Sequence, residues 1–374
     1  MFEKTKAMCD SFLELGVPGF DLLIYRDGRE FFRHTGGFRD LENRLPMTGE
    51  ERLRIYSCTK PITVTAALQL WEQGKFSLDD TLHAYLPAFR EMTVQTEDGL
   101  RKAENPILIR HLFTMTAGFS YDFRSPSLLE LRRQNPAPTT RQVVDALAGE
   151  PLLFEPGDRY RYSLCHDVLG ALIEAVSGER LQDYVRRHIF EPLGMKDTTY
   201  LLPESEKDTV APLYRFHKDN GRSVREEAAE RVGPAYVSGG GSCVTTAADY
   251  MKFAEALRDG ERLLKRSTIR RLCTDRLTEH QSRTFTIKTA DYGLGMWVPR
   301  EGQLRQDFGW GGAAGAMLAV DPGRGLSVVY LQHLLESPNQ GMRSKMLQTF
   351  LMELEGLVDT AAEQEDVRNY NLTY

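Results

Sequence analysis

The chain has 374 residues, of which 41% are hydrophobic and 27% are charged, and its formal net charge is −6. A chain of this length and composition can bury one large core or two moderate ones, which predicts a globular protein. No stretch is rich in lysine and arginine, so the electrostatic signature of nucleic-acid binding is missing and no nucleic-acid partner is expected.

Residues 1–16 mix charged side chains with Phe2, Met8 and Phe12, a pattern typical of an amphipathic helix. This segment has neither the apolar region of a signal peptide nor the roughly 20 apolar residues of a membrane span. We therefore expect a cytoplasmic protein with no membrane partner.

Cysteine and histidine spacing gives no indication of a disulfide framework or a metal site. The eight histidines have no ligand spacing, and the five cysteines are odd in number and form no C-x-x-C pair. We expect no metal or other cofactor. Cys58, Cys165 and Cys243 lie beside segments assigned below to the active site, where we expect them to be small apolar fillers.

The first strands are predicted at residues 20–25 and 30–34. An Asp27-Gly28 pair lies between them, and Asp-Gly is a strong β-hairpin signal. The chain therefore opens with an antiparallel pair.

Ser57 and Lys60 form an S-x-x-K pair at the start of an apolar helical pattern that runs to Trp71 and stops at Gly74. Residues three apart share a helix face, so the hydroxyl and the amine can meet, and a partly desolvated lysine loses its proton more easily. The helix start also favours developing negative charge. The alternative is that Ser57 only caps the helix while Lys60 points into water.

The middle of the chain, from residue 78 to 230, is predicted to consist mostly of helices and loops. The expected helices are residues 107–119, 140–147, 167–176 and 181–190. Two segments are expected to be loops, 135–138 and the charged stretch 207–230, the second a flap or an irregular excursion.

Strand patterns return in the last third of the chain. A glycine-rich turn at 238–242 lacks the context of a phosphate loop, and Thr246 with Asp249 predicts the capped start of a helix to Leu257. Strands are expected at 292–298, 315–320 and 326–332, and a helix at 342–357. The acidic end, 359–374, is expected to be partly disordered.

This order of elements predicts an α/β (α+β) fold. An antiparallel sheet flanked by helices is built from both chain ends, 1–77 and 231–374, and a mostly helical domain, 78–230, is inserted between them. The Ser57 helix would then lie in the cleft between the two domains, because pockets favour such junctions.

A loop at 156–164 delivers Tyr162 just before a helix. A tyrosine there can share a proton with Lys60 and the leaving group, although packing of the ring alone is the alternative. His166 follows four residues later, and surface or core packing is the favoured role for it.

The stretch 308–315 (FGWGGAAG) contains Trp310, Gly311, Gly312 and Ala313 and leads into a strand. Its glycines let a substrate lie close to the strand, and a strand N–H near 312–314 can pair with the Ser57 N–H to hold an oxyanion. Structural glycines at a sheet bend are the alternative.

These motifs together resemble the class C β-lactamase-like serine hydrolases over about residues 10–350. The motifs that occur in the family's order are Ser57-x-x-Lys60-Pro61, 112–118, Pro156-Gly157 followed by Tyr162-Ser163, 191–195, 238–246, 292–295 and 310–312. The resemblance implies a β-lactamase/transpeptidase-like fold. It also implies Ser57 as the acylated nucleophile, Lys60 as the activating amine and Tyr162 as the proton-shuttling partner.

Two departures from the class C pattern bear on the substrate. Leu164 replaces the asparagine of Tyr-x-Asn, and Trp310 replaces the lysine of Lys-Thr-Gly, a cation worth about 1.5–3 kcal/mol to a bound carboxylate. The sequence therefore looks most like the carboxylesterase branch, which includes acyl-transferring relatives.

The sequence thus predicts a serine hydrolase that acts through an acyl-enzyme on small neutral esters, a carboxylesterase or acyltransferase. Two alternatives stay open. One is a β-lactamase or D-amino-acid peptidase or amidase, and the other is an inactive binding or scaffold protein that keeps the fold.

Overall fold

The computed structural model describes residues 1–228, 232–274 and 277–357. The helices are α1 Glu3–Glu14, α2 Lys60–Glu72, α3 Ile109–Phe113, α4 Pro126–Gln134, α5 Thr140–Leu147, α6 Cys165–Ser177, α7 Leu181–Val185, α8 Glu191–Leu193, α9 Ala247–Asp259, α10 Arg266–Thr274, α11 Glu279–Ser282 and α12 Met342–Leu354. The strands are β1 Gly19–Arg26, β2 Arg29–Asp40, β3 Leu45–Pro46, β4 Leu53–Arg54, β5 Thr93–Thr96, β6 Gly99–Lys102, β7 Leu213–His217, β8 Arg222–Glu226, β9 Val244–Thr245, β10 Asp291–Tyr292, β11 Trp297–Val298, β12 Phe308–Gly311, β13 Met317–Asp321, β14 Leu326–Gln332 and β15 Leu334–Leu335.

The main sheet takes its strands from both ends of the chain. Among the described residues its order is β10-β11-β12-β13-β14-β1-β2-β3, and each pair in it is antiparallel. The two ends join where β1 pairs with β14, with Phe20 opposite Gln332 and Arg26 opposite Leu326. The predicted antiparallel sheet, flanked by helices and interrupted in sequence by a helical insert, is confirmed.

Helices cover both faces of the centre of this sheet. The ring of Tyr330 in β14 lies 6.2 Å from that of Phe12 in α1. Ser327, three positions earlier and so on the opposite face, lies beside Glu255 of α9. Strands β13 and β14 are buried along their whole length, as expected when side chains pack on both faces.

Elements predicted from local signals agree well with the structure. Asp27 and Gly28 both have positive φ, 50° and 82°, which is typical of the type I′ turn of a two-residue hairpin. Thr246 caps α9 by accepting a hydrogen bond from the Asp249 N–H at 3.1 Å. Helix α5 has the predicted bounds, and the predicted helix 181–190 continues from α7 through one π-helical turn, Arg186–Phe190, into α8.

The predicted helix at 107–119 is wrong in length. Only α3, Ile109–Phe113, is helical, because Met115 takes a left-handed φ of 56° that an α-helix cannot accommodate. Beyond it, the Met115 carbonyl accepts a hydrogen bond from the Arg161 N–H (2.9 Å) and that of Thr116 from the Gly157 N–H (2.8 Å). Residues 114–120 therefore support the loop that carries Tyr162.

The predicted loop at 207–230 is also wrong, since its described part contains the β7–β8 hairpin. Leu334 of β15 pairs in parallel with Tyr214 of β7, so this hairpin is tied to the C-terminal part of the chain. The turn of this hairpin contains Asn220-Gly221, which is a hairpin signal. The prediction of a loop relied instead on the high charge of the segment. A second hairpin, β5–β6, also lies in the region expected to be helices and loops.

Two smaller differences concern the C-terminal third. Residues 292–298 form no continuous strand but the ends of two short ones, β10 and β11, which pair with each other. The segment 359–374, predicted to be partly disordered, lies outside the described residues. Along the described chain, no helix combines the length and apolar character that crossing a bilayer requires.

Candidate active site

Ser57 stands in a tight turn and not inside an α-helix. A 3₁₀ turn, Tyr56–Thr59, precedes α2, and Tyr56 has a φ of 46°, a strained value for a residue with a side chain. The Ile55 N–H donates to the Cys243 carbonyl (3.1 Å), and the Tyr250 hydroxyl donates to the Cys58 carbonyl (2.6 Å). The turn is thus held on both sides of Ser57.

The structure brings together the three side chains predicted to act in catalysis. The Ser57 Oγ lies 2.6 Å from the Tyr162 hydroxyl and 3.3 Å from Lys60 Nζ, which donates to both Ser57 Oγ and, at 2.8 Å, the Gly240 carbonyl. Lys60 is fully buried, and Ser57 is 4% exposed. The distances are those of a nucleophile in contact with two proton-carrying groups. The role of each group stays a prediction.

Aromatic rings fix the position of Tyr162. Its ring stacks on that of Trp310, with centroids 6.1 Å apart and planes 9° from parallel, and meets the ring of Tyr121 at 5.1 Å. Lys60 Nζ lies 4.6 Å from the Tyr162 ring centroid, a cation–π distance. Trp310 is itself part of β12 and does not merely precede a strand.

The segment after Trp310 lies against the Ser57 turn. The Trp310 carbonyl accepts a hydrogen bond from Cys58 Sγ at 3.4 Å, and a Cβ at Gly312 would lie 2.2 Å from the Ile55 carbonyl oxygen. Glycine at 312 is therefore required by close backbone approach. Gly311 precedes it, half-buried, at the end of β12.

The structure reduces the number of backbone N–H groups that could bind the predicted oxyanion. The Gly312 N–H donates to the Ala316 carbonyl at 2.7 Å, so this N–H is already used. Within the described residues, the N–H groups of Ser57 and Ala313 donate to no backbone carbonyl. These two groups therefore fit the predicted role best, and that role stays a prediction.

Leu164 and His166 belong to the core. Leu164 is 1% exposed at the start of α6, and its N–H donates to the Ser120 carbonyl at 3.1 Å. Burial, together with the nearby charge of Lys60, lowers the pKa of the fully buried His166 to about 3. His166 is thus a neutral core residue at pH 7.

The three cysteines beside the site are buried, with no exposed surface. Burial raises the pKa of Cys58 and Cys165 to about 12 and that of Cys243 well above its ordinary value. A thiol that stays protonated is a poor nucleophile, so these residues act as the expected fillers. Among the described residues no group of three or more metal-ligating side chains is found.

Sequence reasoning missed the part of the site that lies behind Lys60. The loop 238–241 passes between α2 and α6, where the Gly239 carbonyl accepts from Thr63 Oγ1 at 2.7 Å. A Cβ at Gly240 would lie 3.1 Å from Lys60 Nζ and 2.8 Å from Asp167 Oδ2. Asp167 stands in the first turn of α6, where an acidic residue is ordinary, so no local signal distinguished it.

A buried serine that contacts a lysine one helical turn later and a tyrosine from a distant loop defines a serine hydrolase site of the S-x-x-K class. The β-lactamase family model matches residues 5–348, so the chain belongs to the β-lactamase family. It is a serine hydrolase with the β-lactamase/transpeptidase-like fold, as the motifs predicted.

Similar proteins place the chain in the esterase and acyltransferase branch of this family. Protein Rv1367c of Mycobacterium tuberculosis (strain ATCC 25618 / H37Rv) is 30% identical over 361 residues, 88% of each chain. Esterase EstB of Burkholderia gladioli is 29% identical over 363 residues, 85% of this chain and 86% of EstB. The structure of EstCE1, described as a hydrolase with promiscuous acyltransferase activity, superposes with a TM-score of 0.76 at 28% identity, over 93% of this chain and 97% of EstCE1.

Proposed function

We propose that the protein is a carboxylesterase that cleaves small neutral esters through an acyl-enzyme on Ser57. The observation that carries this proposal is the 2.6 Å contact between Ser57 Oγ and the Tyr162 hydroxyl, with Lys60 Nζ at 3.3 Å. The similarity to EstB and EstCE1, proteins named as an esterase and a hydrolase, supports the choice of substrate class.

In this reaction Ser57 Oγ attacks the ester carbonyl while its proton passes to the Lys60–Tyr162 pair. The carbonyl oxygen becomes an oxyanion that the Ser57 and Ala313 N–H groups stabilise. The same pair returns the proton to the departing alcohol, which leaves the acyl group on Ser57. Water then attacks the acyl-enzyme, the proton passes back through the pair, and the carboxylic acid is released.

The side chain at 310 argues for a neutral substrate. The buried Trp310 ring packs against Tyr162 at the position where class C β-lactamases carry a lysine. A substrate carboxylate would lose that charge-assisted hydrogen bond, worth about 1.5–3 kcal/mol, or roughly 10- to 150-fold in binding. An uncharged acyl or alcohol group loses nothing by the exchange.

The test compares substrates of the two enzyme classes on the same preparation. We expect hydrolysis of p-nitrophenyl butyrate, with kcat/KM at least 100-fold above that for a chromogenic cephalosporin or for D-phenylalanine p-nitroanilide, and loss of activity in Ser57→Ala. Preference for the cephalosporin or the D-amino-acid amide would replace the esterase proposal with the corresponding alternative. Added methanol, with methyl butyrate as the product measured, separates acyl transfer from hydrolysis.

An active-site fluorophosphonate distinguishes an enzyme from an inactive scaffold of the same fold. Covalent labelling at Ser57, located by peptide mass spectrometry and absent in Ser57→Ala, is the result expected of an activated serine. A folded protein with neither labelling nor turnover of any of the three substrates would support the scaffold alternative.

A further inference from the structure

Asp167 is a buried acid beside the proposed catalytic site. Its side chain is 1% exposed, and Oδ1 accepts two hydrogen bonds at 2.5 Å, one from the Tyr236 hydroxyl and one from Ser238 Oγ. Two donors on one oxygen stabilise negative charge. Oδ2 is buried and accepts no hydrogen bond within the described residues.

The second oxygen of Asp167 lies close to Lys60. Oδ2 lies 2.8 Å, and Lys60 Nζ 3.1 Å, from the point that a Gly240 Cβ would occupy. The Gly240 carbonyl accepts from Lys60 Nζ, and the Gly240 N–H donates to Ser238 Oγ at 3.2 Å. Asp167 and Lys60 are thus neighbours across one glycine, linked also through the backbone and hydroxyl of the same loop.

The other titratable groups packed around Lys60 do not supply a negative charge that could stabilise its ammonium form. Burial raises the pKa of Cys58 and Cys165 to about 12 and lowers the pKa of His166 to about 3, so all three are neutral at pH 7. Burial and the Asp167 charge hold the pKa of Tyr236 well above its ordinary value. Tyr121 and Tyr162 present their ring faces to Lys60 Nζ, at 5.7 Å and 4.6 Å, which favours a cation there.

We propose that Asp167 is a positioning residue that holds Lys60 as an ammonium ion. Lys60 then donates hydrogen bonds, and Tyr162, as a phenolate beside this cation, receives the proton of Ser57 and becomes a phenol. This inference rests on the proposed function and refines it by assigning the proton route within the Lys60–Tyr162 pair. An ammonium has three donors and no lone pair, which agrees with its contacts to Ser57 Oγ and the Gly240 carbonyl.

The charge of Lys60 is measured directly by NMR of protein carrying ¹³C-labelled lysine. The Cε resonance of Lys60, assigned with Lys60→Arg, is expected to keep its ammonium shift from pH 6 to pH 9. In Asp167→Asn we expect the titration of Lys60 to move down by about one pH unit or more, because the variant removes an opposite charge within about 6 Å of the amine. A neutral Lys60 at pH 7 in the unmodified protein would overturn the inference, even if the variant fails to fold.

The pH dependence of kcat/KM for p-nitrophenyl butyrate is the second readout. With Lys60 needed as a cation, its deprotonation limits the alkaline side, so Asp167→Asn should move the alkaline limb to lower pH. Tyr236→Phe is the matched control, because it removes one hydroxyl donor and leaves the carboxylate, and its alkaline limb should stay in place. A shift of the acidic limb in Asp167→Asn while the alkaline limb stays in place would instead identify Lys60 as the base and refute the proposal.

The two measurements can refute the role of Asp167 and the proposed function independently of each other. The NMR titration requires no turnover, so an inactive protein whose Lys60 stays charged would refute the esterase proposal and support the pairing with Asp167. An active esterase whose Asp167→Asn variant loses rate uniformly, with both limbs unmoved, would refute the role of Asp167 and leave the esterase proposal intact.

Discussion

Replacing Gly240 by alanine tests how closely the site is packed behind the nucleophile. The new methyl carbon would lie 2.8 Å from Asp167 Oδ2 and 3.1 Å from Lys60 Nζ, both shorter than carbon–oxygen and carbon–nitrogen van der Waals contacts. Asp167 cannot retreat without breaking its hydrogen bonds from Tyr236 and Ser238. The displacement must therefore fall largely on Lys60 or on the loop itself.

The expected cost follows from these contacts. Overpacking by one methyl group in a closely packed site costs about 1–3 kcal/mol of folding free energy. A shift of about 1 Å in a group that contacts the nucleophile lowers the rate on the order of 100-fold. We therefore expect Gly240→Ala to fold with reduced stability and to lose about 100-fold in kcat/KM.

The neighbouring glycine is a matched control for this prediction. A Cβ at Gly241 would meet its nearest neighbour, Ser238 Oγ, at 3.7 Å, an ordinary contact, so Gly241→Ala should keep nearly full activity. Hydrolysis of p-nitrophenyl butyrate gives kcat/KM for both variants, and urea unfolding gives their stability. Near-normal activity in Gly240→Ala, or an equal loss in Gly241→Ala, would refute the packing argument.

Three further predictions address the phenol, a helix cap and a buried histidine. Tyr162→Phe should lower kcat about 10²- to 10⁴-fold. The phenylalanine ring can still stack on Trp310, so the unfolding midpoint should stay nearly unchanged. Full activity in this variant would exclude the hydroxyl from the reaction. Thr246→Ala, which removes the cap on the Asp249 N–H, should cost about 1 kcal/mol in urea unfolding and leave esterase activity intact, and an unchanged midpoint would contradict the cap. The pKa of His166 is about 3 in the folded chain, whereas its ordinary value is 6.5. Between pH 3 and pH 6.5 this side chain therefore binds a proton when the protein unfolds. Stability should therefore fall as the pH is lowered from 6.5 towards 3, by up to about 1.4 kcal/mol per pH unit, and an NMR titration of His166 near 6.5 in the folded protein would contradict this.

The sequence by itself determined the features that depend on residues close together along the chain. Ser57 and Lys60 meet because one helical turn separates them, and Asp27-Gly28 sets the first hairpin because its two residues accept positive φ. The same holds for the cap at Thr246. In each case the interacting atoms are within a few residues, so little chain entropy opposes the contact and residue type alone decides it.

Only the tertiary structure decided contacts between distant segments. Tyr162 contacts Ser57 although 105 residues separate them in the sequence. The motif around Tyr162 suggested its role, but it did not indicate that residues 114–120 would be non-helical and would support the loop that carries Tyr162. Asp167 and Gly240 carry no local signal at all, since an acid in a first helical turn and a glycine in a turn are both ordinary. Their juxtaposition behind Lys60 exists because the packing of α2 against α6 leaves room for a backbone without side chains, and that space is a property of the assembled core.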